Sequence, residues 1–163
     1  MGMSLAKLNS IIGEVFVFGT STGVSRVVFG IEEYNKYIWE LGDIELSYNE
    51  EVRRAASELE LYFSGSITRF SSPVDLSGAA SFQLRVWREL LKIPYGEVLT
   101  YGELARKVER PRAARAVGGA LRANPVPILV PCHRVVSGGG LGGYYYGPAI
   151  KEQLLRLEGV DLS

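Results

Sequence analysis

Cysteine and histidine are nearly absent from this chain. Cys132 is the only cysteine and His133 the only histidine. A single cysteine excludes an intrachain disulfide. One of each also falls short of the roughly four Cys/His ligands of a structural zinc site, so no metal is expected. No stretch approaches the roughly 20 apolar residues of a membrane span. The opening residues, MGMSLAKLNSIIGEVF, lack the basic start, long apolar run and cleavage site of a secretory signal. Together these absences predict an intracellular protein with no membrane partner. Asparagine and glutamine are also scarce, as in heat-adapted proteins, and arginine outnumbers lysine 13 to 5.

Net charge is missing too, but only as a sum. The 18 basic and 18 acidic residues cancel. Residues 1–80 hold 6 basic and 11 acidic side chains, whereas residues 81–163 hold 12 and 7. Between Arg106 and Arg134 there are seven basic residues and one acidic residue. A basic second half is either a phosphate-facing surface or an ordinary solvated face.

What is present is globular material, 47% apolar and 22% charged over 163 residues, enough for one or two cores. EVFVFG (14–19) and VSRVVFG (24–30), separated by TSTG, read as a β-hairpin. A further strand is expected near Tyr34–Trp39. Asn49 caps a helical pattern, NEEVRRAASELELYFSG, closed by Gly65, with Val52, Ala55, Ala56, Leu59 and Phe63 on one face. ITRFSSPVDLSG (67–78) reads as an extended linker. It divides the chain into a supporting α/β domain at 1–76 and a second domain at 77–163.

In the second half, Ser81 is expected to cap a helix with Phe82, Val86, Trp87, Leu90 and Leu91 inward. Thr100 and Glu103 form a capping box for a short helix ending near Val108. A turn holding Pro111 and a second helix from about Arg112 to Ala123 complete a helix-turn-helix pattern. Many such hairpins bind nothing; the basic second helix leaves DNA binding and a plain helical hairpin equally open. Arg134–Val136 reads as a strand, SGGGLGGYYYG (137–147) as a flexible loop, and Ala149–Leu157 as the last helix.

PVPILVPCHRVV (125–136) holds the chemistry. A thiol becomes a strong nucleophile only as thiolate, and its free pKa is about 8.5, so a working site must supply a base or positive charge. His133 is the candidate base. Adjacent side chains of an extended segment point opposite ways, so contact relayed by a water is expected. An acidic group must orient the imidazole, and Glu158 is the candidate. The competing reading is a buried, inert cysteine.

PCHRVV in register with RAVGGALRANP, and the GGY loop that follows, resemble the O(6)-alkylguanine-DNA alkyltransferase family over about Phe82 to Gly159. The resemblance implies an α+β fold. A small antiparallel sheet with a helix, ribonuclease H-like, would be followed by a helical, winged-helix-like domain carrying the helix-turn-helix. It also implies direct-reversal DNA repair without a cofactor. A guanine alkylated at O(6), or a thymine alkylated at O(4), is flipped from the duplex, and its alkyl group moves irreversibly to Cys132. Base extrusion is needed because the duplex hides the alkyl carbon.

By the family's pattern, Glu158 orients His133, and His133 deprotonates Cys132 through a water. Tyr101 donates to the leaving guanine and Asn124 stabilises the active-site turn. Arg115 enters the base stack, while Gly118, Gly119 and Arg122 belong to the helix laid in the minor groove. Pro127 and Tyr144 wall the pocket, Tyr145 stands where a backbone N–H approaches the substrate oxygen, Val135 reads the base through its carbonyl, Arg134 joins the DNA-binding set, and Lys151 is structural. Without the family, the plain readings are a core aromatic for Tyr101, a surface charge for Arg115, a helix C-cap for Asn124 and tight helix packing for the two glycines. Tyr145 and Tyr146 depart from the serine that commonly follows the pocket tyrosine, which predicts a narrower pocket. The expected partner is double-stranded DNA containing alkylated guanine. The expected setting is a monomer in a prokaryotic-type cytoplasm, acting at the nucleoid. Three alternatives stay open: a non-catalytic lesion-binding relative, a helix-turn-helix regulator with an inert thiol, and a cysteine hydrolase.

Overall fold

The computed structural model describes residues 2–162 of the chain. The chain divides after Asp75 into two units, Met1–Asp75 and Leu76–Ser163. The first is built on strands β1 (Met3–Ser10), β2 (Gly13–Thr20), β3 (Gly23–Phe29) and the short β4 (Leu46–Ser47), in the order β3-β2-β1-β4. The predicted hairpin is β2–β3. The pairs β1–β2 and β2–β3 are antiparallel, but β4 runs parallel to β1, so the sheet is mixed rather than purely antiparallel.

Side-chain alternation gives this sheet two apolar faces. Phe16, Phe18 and Val28 lie on one face, where Tyr34, Tyr37, Ile38 and Leu41 pack against them. Those four residues belong to a helix, α1 (Ile31–Leu41), which corrects the strand expected near Tyr34–Trp39. Their spacing at i, i+3, i+4 and i+7 is helical, and burial of that stripe outweighs the β propensity of the aromatic residues. Trp39 falls off the stripe and is 87% exposed. Val15, Val17 and Val27 face the other way, and α2 (Glu50–Phe63) packs on the strands. Asn49 accepts the Val52 N–H as its N-cap, and Val52, Ala55, Ala56, Leu59 and Phe63 are all buried, as the periodicity predicts.

The stretch expected to be a linker is pinned to this unit. Val74 bridges Val24, and the Thr20 and Thr22 hydroxyls donate to the Asp75 carboxylate. Glu58 accepts from the backbone N–H and hydroxyl of both Ser71 and Ser72. Burial pushes the Glu58 carboxyl up, but those four hydrogen bonds outweigh it and hold it below the usual range.

The second unit contains α3 (Ser81–Leu90), β5 (Leu99–Thr100), α4 (Tyr101–Lys107), α5 (Ala114–Arg122), a single 3₁₀ turn (Cys132–Arg134), β6 (Val135–Val136) and α6 (Pro148–Leu157). Ser81 does not cap α3; it is the first helical residue, and Ala80 occupies the cap position without a side-chain bond. Val86, Trp87 and Leu90 are buried, but Leu91 lies just past the helix and is 48% exposed. The Trp87 indole N–H donates to the Ala120 carbonyl, and Arg85 donates to the Val108 carbonyl, tying α3 to the helical pair. The Thr100–Glu103 capping box is present at α4. No helix among the described residues is long and apolar enough to cross a membrane.

Candidate active site

Two local devices bring Tyr101 and Cys132 together. β5 and β6 pair in parallel, Leu99 with Val135 and Thr100 with Val136. Tyr101 therefore starts α4 directly beside the Cys132–Arg134 turn. The second device is Asn124. Its amide donates to the Val130 carbonyl at 2.8 Å and accepts from the Val126 N–H at 3.0 Å, closing the 124–130 bend. Ala123, not Asn124, is the helix C-cap. Within the bend Ile128 is buried at φ 75°, a left-handed conformation costing a β-branched residue roughly 1–3 kcal/mol. Nothing in the sequence marks Ile128 as strained.

Cys132 opens the 3₁₀ turn rather than a strand, which shortens the predicted Arg134–Val136 strand to Val135–Val136. The thiol is 7% exposed. It lines a pocket with Tyr101, Gly118, Leu121, Gly143, Tyr144 and Tyr145. Burial pushes the thiol up to about 11; the Asn124 amide, the Lys151 charge and backbone hydrogen bonds pull the other way. The resting side chain is therefore the neutral thiol at neutral pH.

The fold brings His133 and Glu158 together. The imidazole Nε2 lies 2.7 Å from Glu158 Oε2, with both side chains wholly buried. The other ring nitrogen, Nδ1, has no hydrogen-bond partner among the described residues. Burial lowers the His133 pKa, the Glu158 carboxylate opposes that, and the Arg134 and Lys151 cations add to it. His133 is therefore neutral at rest, with one ring nitrogen free to accept a proton.

Arg134 is not placed for DNA. It is 6% exposed and turned inward, with Nε 2.8 Å from Glu158 Oε1, Nη2 3.1 Å from Glu158 Oε2, and Nη1 2.7 Å from the Ile93 carbonyl. In a 3₁₀ turn successive side chains do not alternate as in a strand, so His133 and Arg134 both reach the same carboxylate. Lys151, wholly buried, donates to the Val135 and Gly143 carbonyls at 2.6 and 2.9 Å. Burial pulls its ammonium down to about 8, and the Cys132 thiolate works against that shift. The Val135 carbonyl expected to read the base is thus already shared with Lys151. Pro127 is buried in the bend, where it bridges Val130, and is not among the pocket-lining residues.

The family model for the DNA-binding domain of 6-O-methylguanine DNA methyltransferase matches residues 81–160. The chain is 42% identical to the methylated-DNA–protein-cysteine methyltransferase of Methanosarcina acetivorans over 158 residues, 96% of this chain and 99% of that one. The chain belongs to this family. Its fold matches Mycobacterium tuberculosis OGT in complex with DNA at a TM-score of 0.81, with 36% identity over 97% of this chain and 92% of that chain. It also matches the O6-methylguanine-DNA methyltransferase of Pyrococcus kodakaraensis, with a TM-score of 0.73, 28% identity, and 97% and 99% coverage.

Of the remaining expected residues of this methyltransferase chain, Gly118 and Arg122 line the pocket from α5. Arg115 and Arg122 are exposed on α5. A Cβ added to Gly119 would meet nothing within 4 Å, and one added to Gly118 only the Arg122 guanidinium at 3.9 Å. Tight packing inside the protein therefore does not account for either glycine. Gly142 is different, since a Cβ there would fall 2.8 Å from the Tyr101 hydroxyl and its φ is 75°. The Tyr101 hydroxyl accepts the Gly143 N–H at 3.1 Å. Gly143 thus couples Tyr101 and Lys151 through its backbone, a role that no residue-type pattern could reveal. Tyr145 is 48% exposed and stacks edge-on against Tyr146, with ring centroids 4.9 Å apart.

Proposed function

We propose that this chain repairs alkylated duplex DNA in a single turnover, moving the alkyl group of an O(6)-alkylguanine to Cys132. The juxtaposition of a buried thiol in an aromatic pocket with a His–Glu pair, below a basic and glycine-smoothed helix, carries this reading. Arg115, Arg122, Gly118 and Gly119 present α5 to the minor groove, and Arg115 fills the gap left by the flipped base. Tyr101, Tyr144 and Tyr145 wall the pocket.

The chemistry follows from the charges. The Cys132 proton passes through a water to His133 Nδ1. The sulfur pair forms the S–C bond as the O(6)–C bond breaks, and guanine leaves with the electrons of that bond. A proton from solvent, passed on by the Tyr101 hydroxyl as it is itself reprotonated, then restores neutral guanine, while the imidazolium returns its own proton to solvent. The thiol rests neutral, so it is inert until an alkyl carbon is seated. Glu158 stabilises the imidazolium that forms. The thioether has no route back, so each molecule acts once. Such work at the chromosome suits a cytoplasmic protein.

Titration of a duplex carrying one O(6)-methylguanine tests this reading. Guanine should be recovered at one equivalent per protein and then stop. Continued turnover, or no recovery, overturns it.

The two glycines give a second test. Gly118→Ala and Gly119→Ala should each stabilise the fold by roughly 0.5–1 kcal/mol, since alanine is the better helix former and space is open. Both should weaken duplex repair. Urea unfolding and single-turnover rates measure the two effects, and a stabilised variant with unchanged repair would remove α5 from the DNA interface.

A further inference from the structure

Arg134 is a buried charge outside the pocket, yet it lies on the carboxylate that orients the base. We propose that Arg134 is a positioning residue that fixes which nitrogen of His133 carries the proton, by holding Glu158 in its ionised form through a two-point guanidinium–carboxylate contact. This rests on the alkyl-transfer reading for its catalytic consequence, though not for its geometry.

A carboxyl removed from water favours its neutral form unless a cation and hydrogen bonds offset the desolvation. Glu158 is wholly buried. Arg134 supplies one N–H to each carboxylate oxygen, and the Gly96 N–H approaches Oε1 at 3.4 Å. Arg134 is itself held by the Ile93 carbonyl and lies 5.9 Å from the centre of the Tyr95 ring. An ionised Glu158 can only accept, so His133 Nε2 must donate to it at 2.7 Å. The lone pair is then on Nδ1, which is the state able to take the thiol proton. If Glu158 were protonated, its O–H would donate to Nε2, the ring proton would move to Nδ1, and the base would be lost.

The ionisable and charged groups around this imidazole are Glu158 at the C-cap of α6, Arg134 and Cys132 on its own turn, Lys151 on α6, and Tyr95 beside Arg134. Arg134 bonds Glu158 through two nitrogens, Nε and Nη2.

The chain's single histidine makes the test direct, because ring ¹⁵N spectra report one imidazole. The wild-type protein should show Nε2 protonated and Nδ1 bare at neutral pH. A wild-type spectrum with the proton on Nδ1 overturns the proposal before any variant is made. Arg134→Met should shift the neutral ring toward Nδ1 protonation. Its transfer rate on O(6)-methylguanine duplex should fall about tenfold more than wild type's between pH 8 and pH 6, as Glu158 gains a proton. Arg134→Lys, which keeps the charge with a single contact, serves if the methionine variant does not fold, and should restore part of the Nε2 signal and the pH profile. A folded variant with unchanged tautomer and unchanged profile overturns the proposal. Absence of transfer by wild type, with the expected tautomer, would instead overturn the functional reading alone.

Discussion

Cys132→Ser abolishes alkyl transfer and leaves binding to lesion-containing duplex intact. Serine keeps the size and the hydrogen-bonding capacity of the side chain. It lacks the soft, polarisable sulfur, and a hydroxyl beside a neutral imidazole is a far weaker nucleophile than a thiolate. The charged binding groups are other side chains, exposed Arg115 and Arg122 on α5, and the substitution leaves them in place. Gel-shift titration and a transfer assay on the same duplex separate the two effects. Retained transfer would remove Cys132 from the chemistry; lost binding with a folded protein would make the thiol part of the DNA interface instead. The same result bears on the alternatives. An inert thiol in a helix-turn-helix regulator would leave every DNA property unchanged on substitution.

Glu158→Gln has the second large effect, and it falls on both stability and rate. Glutamine matches the shape but replaces one accepting oxygen by a donor. It cannot accept from His133 and from both Arg134 nitrogens at once. Arg134 is left as a buried cation without its counter-charge, at about 3–5 kcal/mol. The base also loses the carboxylate that stabilises its protonated form, and the rate should drop by roughly 10²–10⁴. Urea unfolding measures the first. Single-turnover transfer, at a temperature where the variant is folded, measures the second. A folded variant with near wild-type rate would show that His133 does not act through Glu158.

The capping box at Thr100 and Glu103 and the apolar stripe of α2 were legible in the sequence because they are local, set by neighbours within one or two helical turns. The Cys132–His133 pair was legible because the two residue types occur nowhere else in the chain. Glu158 was reachable by chemistry, since an imidazole base needs an acid, though its 25-residue separation from His133 is closed only by the fold.

Other features were hidden for physical reasons. α1 carries aromatic residues whose intrinsic preference is for strands, and only its packing stripe reveals the helix. Arg134 reads as a surface cation because arginine is rarely buried; its inward turn depends on a 3₁₀ geometry that the extended reading of CHRVV missed. Lys151 was expected to be structural from the resemblance, but its two carbonyl partners lie on different segments, which no residue pattern shows. Gly143 acts through its backbone, where side-chain identity carries no signal.

The measurement that bears most directly on the central claim is intact and peptide mass spectrometry after mixing the protein with duplex DNA carrying one O(6)-methylguanine. The account predicts a gain of one methylene on the peptide containing Cys132, saturating at one per protein. No gain with the lesion strand still tightly bound, or a gain on any other residue, would contradict it.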